Sequence, residues 1–121
     1  MNDFLPELEL IDRLCIARIK WERTNGANQK ELSWYELAFH PLSATPGILD
    51  IVKDLTEIHN HIWDLEWQLK SGVEEQLSLE EIGRRAIAIR DYNNKRIALK
   101  NSASKLLNST VREIKQDHLS Q

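Results

Sequence analysis

Hydrophobic residues recur every three or four positions along most of the chain, which predicts amphipathic helices rather than strands. The first predicted helix spans 4–23 and stops at Gly26, a residue suited to a left-handed helix end. A short helix is predicted over 31–39. It should end there because the residue before Pro41 is disfavoured in a helix. The inward-facing residues of this short helix are predicted to be Trp34, Leu37 and Ala38.

A turn-forming segment over 42–47 separates these helices from the second half of the chain. Thr45 is predicted to cap the third helix, with Pro46 in its first position. This helix should run to about Lys70 and close at residues 71–72. A continuous apolar stripe then marks the side of the third helix that faces the core: Ile48, Ile51, Val52, Leu55, Ile58, Ile62, Leu65 and Leu69.

The last helix begins at Ser78, where Glu81 completes a capping-box spacing, and it continues for more than thirty residues without a proline. Its predicted core positions are Ile82, Ala86, Ile89, Ile97, Leu99, Ala103, Leu106, Leu107 and Ile114. The short turn before it makes the last two long helices an antiparallel hairpin. The predicted fold is therefore an all-α bundle of three long helices and one short one, forming a single domain over 1–121, with 108–121 either frayed or packed on a partner.

The apolar seam of the last helix is interrupted in its middle. Continuing from Ile89 in steps of three and four, the seam meets three polar residues, Asn93, Arg96 and Lys100, before apolar residues resume. A neighbouring stripe through Ile97 and Leu99 could take over the packing, so two orientations of this helix remain open.

Polar and aromatic residues also border the apolar stripes of the first and third helices. On the first helix they are Asp12, Lys20 and Arg23, and on the third they are His59, Trp63 and Glu66. Charges in such places must be paired or hydrated. We predict that Arg96 and Lys100 face Glu66 with Asp12 nearby, as a salt-bridge network that sets helix register or as a cleft for a phosphorylated or acidic small molecule.

Composition narrows the class of protein. A chain of 121 residues with one Cys has no internal disulfide framework, and no run is apolar enough for a membrane span. Residues 1–75 carry seven basic and fourteen acidic side chains, whereas 76–121 carry nine and five. The basic residues of the last helix are scattered around its circumference, which argues against nucleic-acid binding. We expect a soluble, cytoplasmic protein.

No catalytic constellation passes a test of spacing. The His59 and His61 pair beside Glu57 lacks the Glu-x-x-His spacing of a di-iron bundle. Cys15 lies on the apolar stripe of the first helix and is predicted to be an inert core residue. We therefore predict no metal, no cofactor and no catalytic residue.

The segments 10–14 (LIDRL) and 62–66 (IWDLE) and the polar residues of the last helix together resemble a family of short helical bacterial proteins. Members of that family are associated with glycosyltransferase and surface-polysaccharide genes. The resemblance implies a helical fold and a place in a glycan or nucleotide-sugar pathway.

Two functions of different class follow from these observations. The leading expectation is a non-enzymatic accessory or interaction protein that forms a homodimer or higher oligomer, because a helix of this length exposes more apolar surface than one small core can cover. The alternative is a ligand-binding protein or enzyme that uses the polar cleft.

Overall fold

The computed structural model describes residues 7–70 and 76–119, with side chains described as far as Asn108. The described residues form four α-helices and contain no strand. A 3₁₀ segment, His40–Ala44, follows the second helix. The helices are α1 (Glu7–Arg23), α2 (Gln29–Phe39), α3 (Ile48–Lys70) and α4 (Leu79–Leu119). The predicted all-α bundle of three long helices and one short one is confirmed.

One hydrophobic cluster takes residues from all four helices. Leu14 and Cys15 of α1 and Leu55 of α3 have no exposed surface, as expected for positions at the centre of an amphipathic bundle. The buried members of the cluster are Ile11, Leu14, Cys15, Phe39, Ile48, Ile51, Val52, Leu55, Ala103 and Leu107. The core therefore lies towards the start of α3 and the later part of α4, and towards the opposite end of this helix pair apolar side chains such as Leu65, Leu69 and Ile82 are only half-buried.

Helices α3 and α4 pack antiparallel. Arg85 near the start of α4 donates a 2.8 Å hydrogen bond to Gln68 near the end of α3. At the other end, the Leu106 side chain lies beside Gly47, just before α3. The predicted hairpin is confirmed, and it brings the middle of α4 alongside the middle of α3.

The start of α3 differs from the prediction. Gly47 has a φ of 86°, a left-handed conformation that cannot belong to a right-handed helix, so α3 begins at Ile48. Thr45 is extended (φ −67°, ψ 123°) and ends the 3₁₀ segment, where its carbonyl accepts a 3.1 Å hydrogen bond from the Ile48 amide. The prediction of Thr45 as cap and Pro46 as first residue was therefore wrong by two positions.

Several residues predicted to face the core are exposed instead. On α2, Trp34 is 56% exposed and Leu37 is 76% exposed. On α4, Ala86 is exposed and Ile97 is 51% exposed. The exposure of Ile97 settles the orientation left open above: Arg96 and Lys100 turn inward towards Asp12, and of the competing stripe Leu99 packs against the core while Ile97 does not.

The remaining boundaries agree with the sequence to within two residues, although His40, before Pro41, keeps helical dihedral angles (φ −47°, ψ −45°) and begins the 3₁₀ segment. Asn25 and Gly26 both have positive φ after α1, α2 ends before Pro41, and the Ser78 hydroxyl accepts a 3.1 Å hydrogen bond from the Glu81 amide. The predictions for 4–6 and 71–72, for the Ile114 side chain and for packing of the tail lie outside the described residues. No helix in the described part of the chain is long and apolar enough to cross a membrane.

Candidate functional site

The site is built around a carboxylate of α1 that faces a histidine of α3. Asp12 Oδ1 lies 2.6 Å from His59 Nε2, and the two side chains are only 14% and 7% exposed. Sequence spacing placed both residues beside an apolar stripe, and burial follows from helix packing, since α1 and α3 are in direct contact. This short hydrogen bond fixes the orientation of the imidazole ring.

Two cations of α4 approach the other oxygen of the same carboxylate. Arg96 Nη1 lies 3.6 Å and Lys100 Nζ 3.8 Å from Asp12 Oδ2. Both distances exceed hydrogen-bond range, so each is an ion pair without a formal hydrogen bond. One carboxylate therefore serves two permanent cations and a histidine, which leaves the centre with surplus positive charge.

The electrostatics of this centre act on Asp12. Burial alone would raise the pKa of its carboxyl, but the His59 hydrogen bond, together with the charges of His59, Lys100 and Arg96, outweighs burial. The pKa of Asp12 is consequently lowered from its usual 3.8. The carboxylate is thus ionised at neutral pH, where it partly neutralises the neighbouring cations.

Arg96 is the least satisfied member of the group. Its guanidinium makes no hydrogen bond with any described residue, and its Nε is buried without a partner among them. The side chain borders a cleft of about 200 Å³ between α1, α3 and α4, and the Asn93 amide on the same wall also makes no hydrogen bond to a described residue. The cleft is lined by Ile16, Ile19, His59, Ile62, Trp63, Glu66, Asn93 and Arg96.

A second, wider cleft of about 590 Å³ opens beside Trp63 and is lined also by Trp67. Arg23 lies over the Trp63 ring at 5.5 Å, which is a cation–π contact. The same guanidinium pairs with Asp64 at 2.8 Å and donates a 3.0 Å hydrogen bond to Asn60. The guanidinium of Arg23 is therefore already paired with side chains of α3.

The predicted site residues do not all converge. Lys20 borders a separate groove between α1 and α2, away from Arg96. Glu66 shares the Arg96 cleft, but its ion partner is Lys70 at 3.6 Å. Arg96 and Glu66 do line one cleft with Asp12 nearby, as predicted, but the carboxylate that pairs with Arg96 and Lys100 is that of Asp12.

Two residues of this region escaped the sequence analysis. Asp64 and Asn60 anchor Arg23, and both are polar positions on α3 that a helical projection places near Trp63. Their spacing of i, i+3 and i+4 around Trp63 was the available signal. Trp67, one helical turn after Trp63, is 60% exposed.

Cys15 takes no part in the site. It is fully buried, its Sγ lies 3.7 Å from the Val52 carbonyl oxygen, and burial raises the pKa of its thiol to about 11. Such a thiol is protonated at neutral pH and is a poor nucleophile. Within the part of the chain that the structure describes, no three His, Cys, Asp or Glu side chains are grouped to hold a metal ion.

Comparison of the chain with protein-family models, with curated proteins and with solved structures found no match. The function is therefore inferred from the geometry of the two clefts and from the charges around Asp12.

Proposed function

We propose that this chain is a non-catalytic helical accessory protein that binds a small anionic molecule in the cleft beside Arg96. The observation that carries the proposal is the state of Arg96, a half-buried guanidinium on a cleft wall with no hydrogen bond to any described residue. Arginine has five N–H donors arranged to hold a phosphate or carboxylate through two parallel hydrogen bonds. Leaving them unused inside a bundle is unfavourable unless water or a ligand accepts them.

Three further features support an anion at this position. Arg96 and Lys100 share one carboxylate oxygen of Asp12, and the Glu66 carboxylate on the same cleft is paired with Lys70. The Asn93 amide adds a donor on the same wall. The isoleucine side chains of the cleft make part of its lining apolar, and hydrogen bonds to a charged group are stronger where the surroundings are less polar.

The test is a thermal unfolding experiment with inorganic phosphate, comparing the native chain with Arg96→Met. At ten times the dissociation constant, binding to the folded state adds about 1.4 kcal/mol of stability, which raises Tm by about 4 to 6 °C for a domain of this size. Arg96→Met should abolish this increase. Phosphate also stabilises proteins in general, so the difference between variants is the measured quantity.

Arg90→Met is the matched control. Arg90 lies on the same helix with its side chain 68% exposed and paired only with Asp91. It should leave the phosphate response unchanged. Equal responses in the native chain and in Arg96→Met would contradict the proposal.

We propose a second role, association of this chain with a copy of itself through α4. Supporting this, α4 has 41 residues and leaves Ile87 and Ile97 each half exposed. Exposed large apolar side chains on one long helix favour an interface. Light scattering at micromolar concentration should report about twice the 14.1 kDa of one chain.

Ile97→Glu should reduce that mass to one chain, because a charge at the interface is costly to desolvate. Leu37→Glu on α2 is the control, since Leu37 is 76% exposed on a different helix and should not alter the mass. A native chain that scatters as a monomer would contradict this second role. The cytoplasmic location, and the glycan or nucleotide-sugar pathway implied by the family resemblance, stay predictions.

A further inference from the structure

The two clefts of the site meet at one residue. Trp63 lines both the cleft of about 200 Å³ beside Arg96 and the cleft of about 590 Å³ beside Trp67. The smaller cleft alone is below the range of about 300 to 1,000 Å³ that is usual for small-molecule sites, whereas the wider cleft falls within it. The two halves also differ in chemistry.

The wider cleft offers aromatic surface rather than charge. Trp67 is 60% exposed and stands one helical turn from Trp63. The other polar groups on its walls are already used: Arg23 pairs with Asp64, and the Thr24 hydroxyl donates a 2.7 Å hydrogen bond to the Lys20 carbonyl. A ligand entering here gains stacking contacts on indole, and few free hydrogen-bonding groups compete for it.

From this juxtaposition we infer that the two clefts form one binding site for a molecule that carries an anionic group and a flat aromatic ring. The anionic group takes the free donors of Arg96, and the ring lies against Trp67. The anionic half of this inference rests on the proposed function, whereas the aromatic half rests on the Trp63 and Trp67 cleft alone. Stacking of a nucleobase on an aromatic side chain increases affinity by between about fivefold and a hundredfold.

Calorimetric titration of the full chain tests the inference with three probes: inorganic phosphate, ribose 5-phosphate and adenosine 5′-monophosphate. All three carry the anion, and only the last carries an aromatic ring. Adenosine 5′-monophosphate should bind at least about fivefold more tightly than ribose 5-phosphate, given the strength of base stacking. Trp67→Ala should bring its affinity down to that of ribose 5-phosphate, and Arg96→Met should weaken all three.

Trp34→Ala is the matched control. Trp34 is a similarly exposed tryptophan, but it lies on α2, in edge contact with Tyr35 and outside both clefts. It should leave all three affinities unchanged. Both tryptophans are more than half exposed, so neither replacement removes a core side chain. Circular dichroism should show that each variant is folded.

The outcomes separate the two claims. If adenosine 5′-monophosphate and ribose 5-phosphate bind equally, or if Trp67→Ala has no effect, the aromatic half is overturned. Phosphate binding that Arg96→Met abolishes would still support the proposed function. If adenosine 5′-monophosphate binding depends on Trp67 but not on Arg96, the joint site and the proposed anion cleft are overturned together.

Discussion

Two arginines of this bundle differ in whether their guanidinium groups are hydrogen-bonded to a carboxylate. Arg18 of α1 binds Glu36 of α2 through two parallel hydrogen bonds of 2.9 and 3.1 Å. Arg96 of α4 faces Asp12 at 3.6 Å without a hydrogen bond, beside a lysine that approaches the same oxygen. The first is a one-to-one pair with matched geometry, and the second belongs to a group in which cations outnumber carboxylates.

The difference distinguishes an arginine that joins two helices from an arginine whose donors remain available to a ligand. A bidentate pair uses the donors of its arginine and leaves little for another molecule. In the group around Asp12, Arg96 keeps hydrogen-bond donors free beside a cleft. Among the described residues, Asp12 is the carboxylate that pairs with both Arg96 and Lys100. Three substitutions and one change of pH should distinguish the two arginine environments.

Asp12→Asn should have the largest effect. It removes the only carboxylate that pairs with Arg96 and Lys100 among the described residues, and it leaves those partly buried cations close together. Removing one partner of a buried ion pair costs about 3 to 5 kcal/mol, so the free energy of unfolding in urea should fall by about 3 kcal/mol. Glu9→Gln is the control, because the exposed Glu9–Arg13 pair should change stability by less than about 0.5 kcal/mol. A loss as small as the control would contradict the assigned role of Asp12.

Acid should weaken the same centre. The pKa of Asp12 is lower in the folded chain than its usual 3.8, so its contribution is fully present above about pH 5 and is lost as the pH falls through the folded value. Each unit of depression corresponds to about 1.4 kcal/mol. Urea unfolding measured from pH 7 down to pH 3 should show a shallower decline in Asp12→Asn than in the native chain. Parallel declines would indicate that other carboxylates dominate.

Arg18→Met should cost less, about 1 kcal/mol or below. The Arg18–Glu36 pair has good geometry, but its side chains are 36% and 42% exposed, so solvent screens the interaction. The double variant with Glu36→Gln should lose little more than either single variant, since both changes remove the same pair. Additive losses in urea unfolding would show that the two side chains act through other contacts.

Arg96→Met should have the smallest effect on stability, within about 0.5 kcal/mol or slightly stabilising, while it removes phosphate binding. Asp12 keeps His59 and Lys100 as partners, and the methionine no longer brings unsatisfied donors into the bundle. A stability loss of about 3 kcal/mol would instead assign Arg96 to a network that sets helix register.

Much of this site was visible in the sequence. The interruption at Asn93, Arg96 and Lys100 marked the inward polar stretch of α4, and the positions of Asp12 and His59 marked the facing helices. The pairing within the group was not visible, because Asp12 and His59 are 47 residues apart and their contact depends on how α1 packs on α3. Glu66 looked equally suitable for Arg96, but it pairs with Lys70 one turn along the same helix, and packing brings Asp12 of α1 to Arg96 instead.

The sequence by itself determined the four helices and most of their ends, because apolar periodicity and turn residues such as Gly26 act over only a few positions. It also showed that Asn93, Arg96 and Lys100 interrupt the apolar seam of α4, but it left two orientations of that helix open. The tertiary structure alone decided which face of α4 turned inward, since two stripes competed and only packing against α3 buried Ala103 and Leu107 while leaving Ile97 outside. It also decided that one carboxylate would serve two cations, because ion pairing between distant segments depends on separations of a few ångströms that no local pattern encodes.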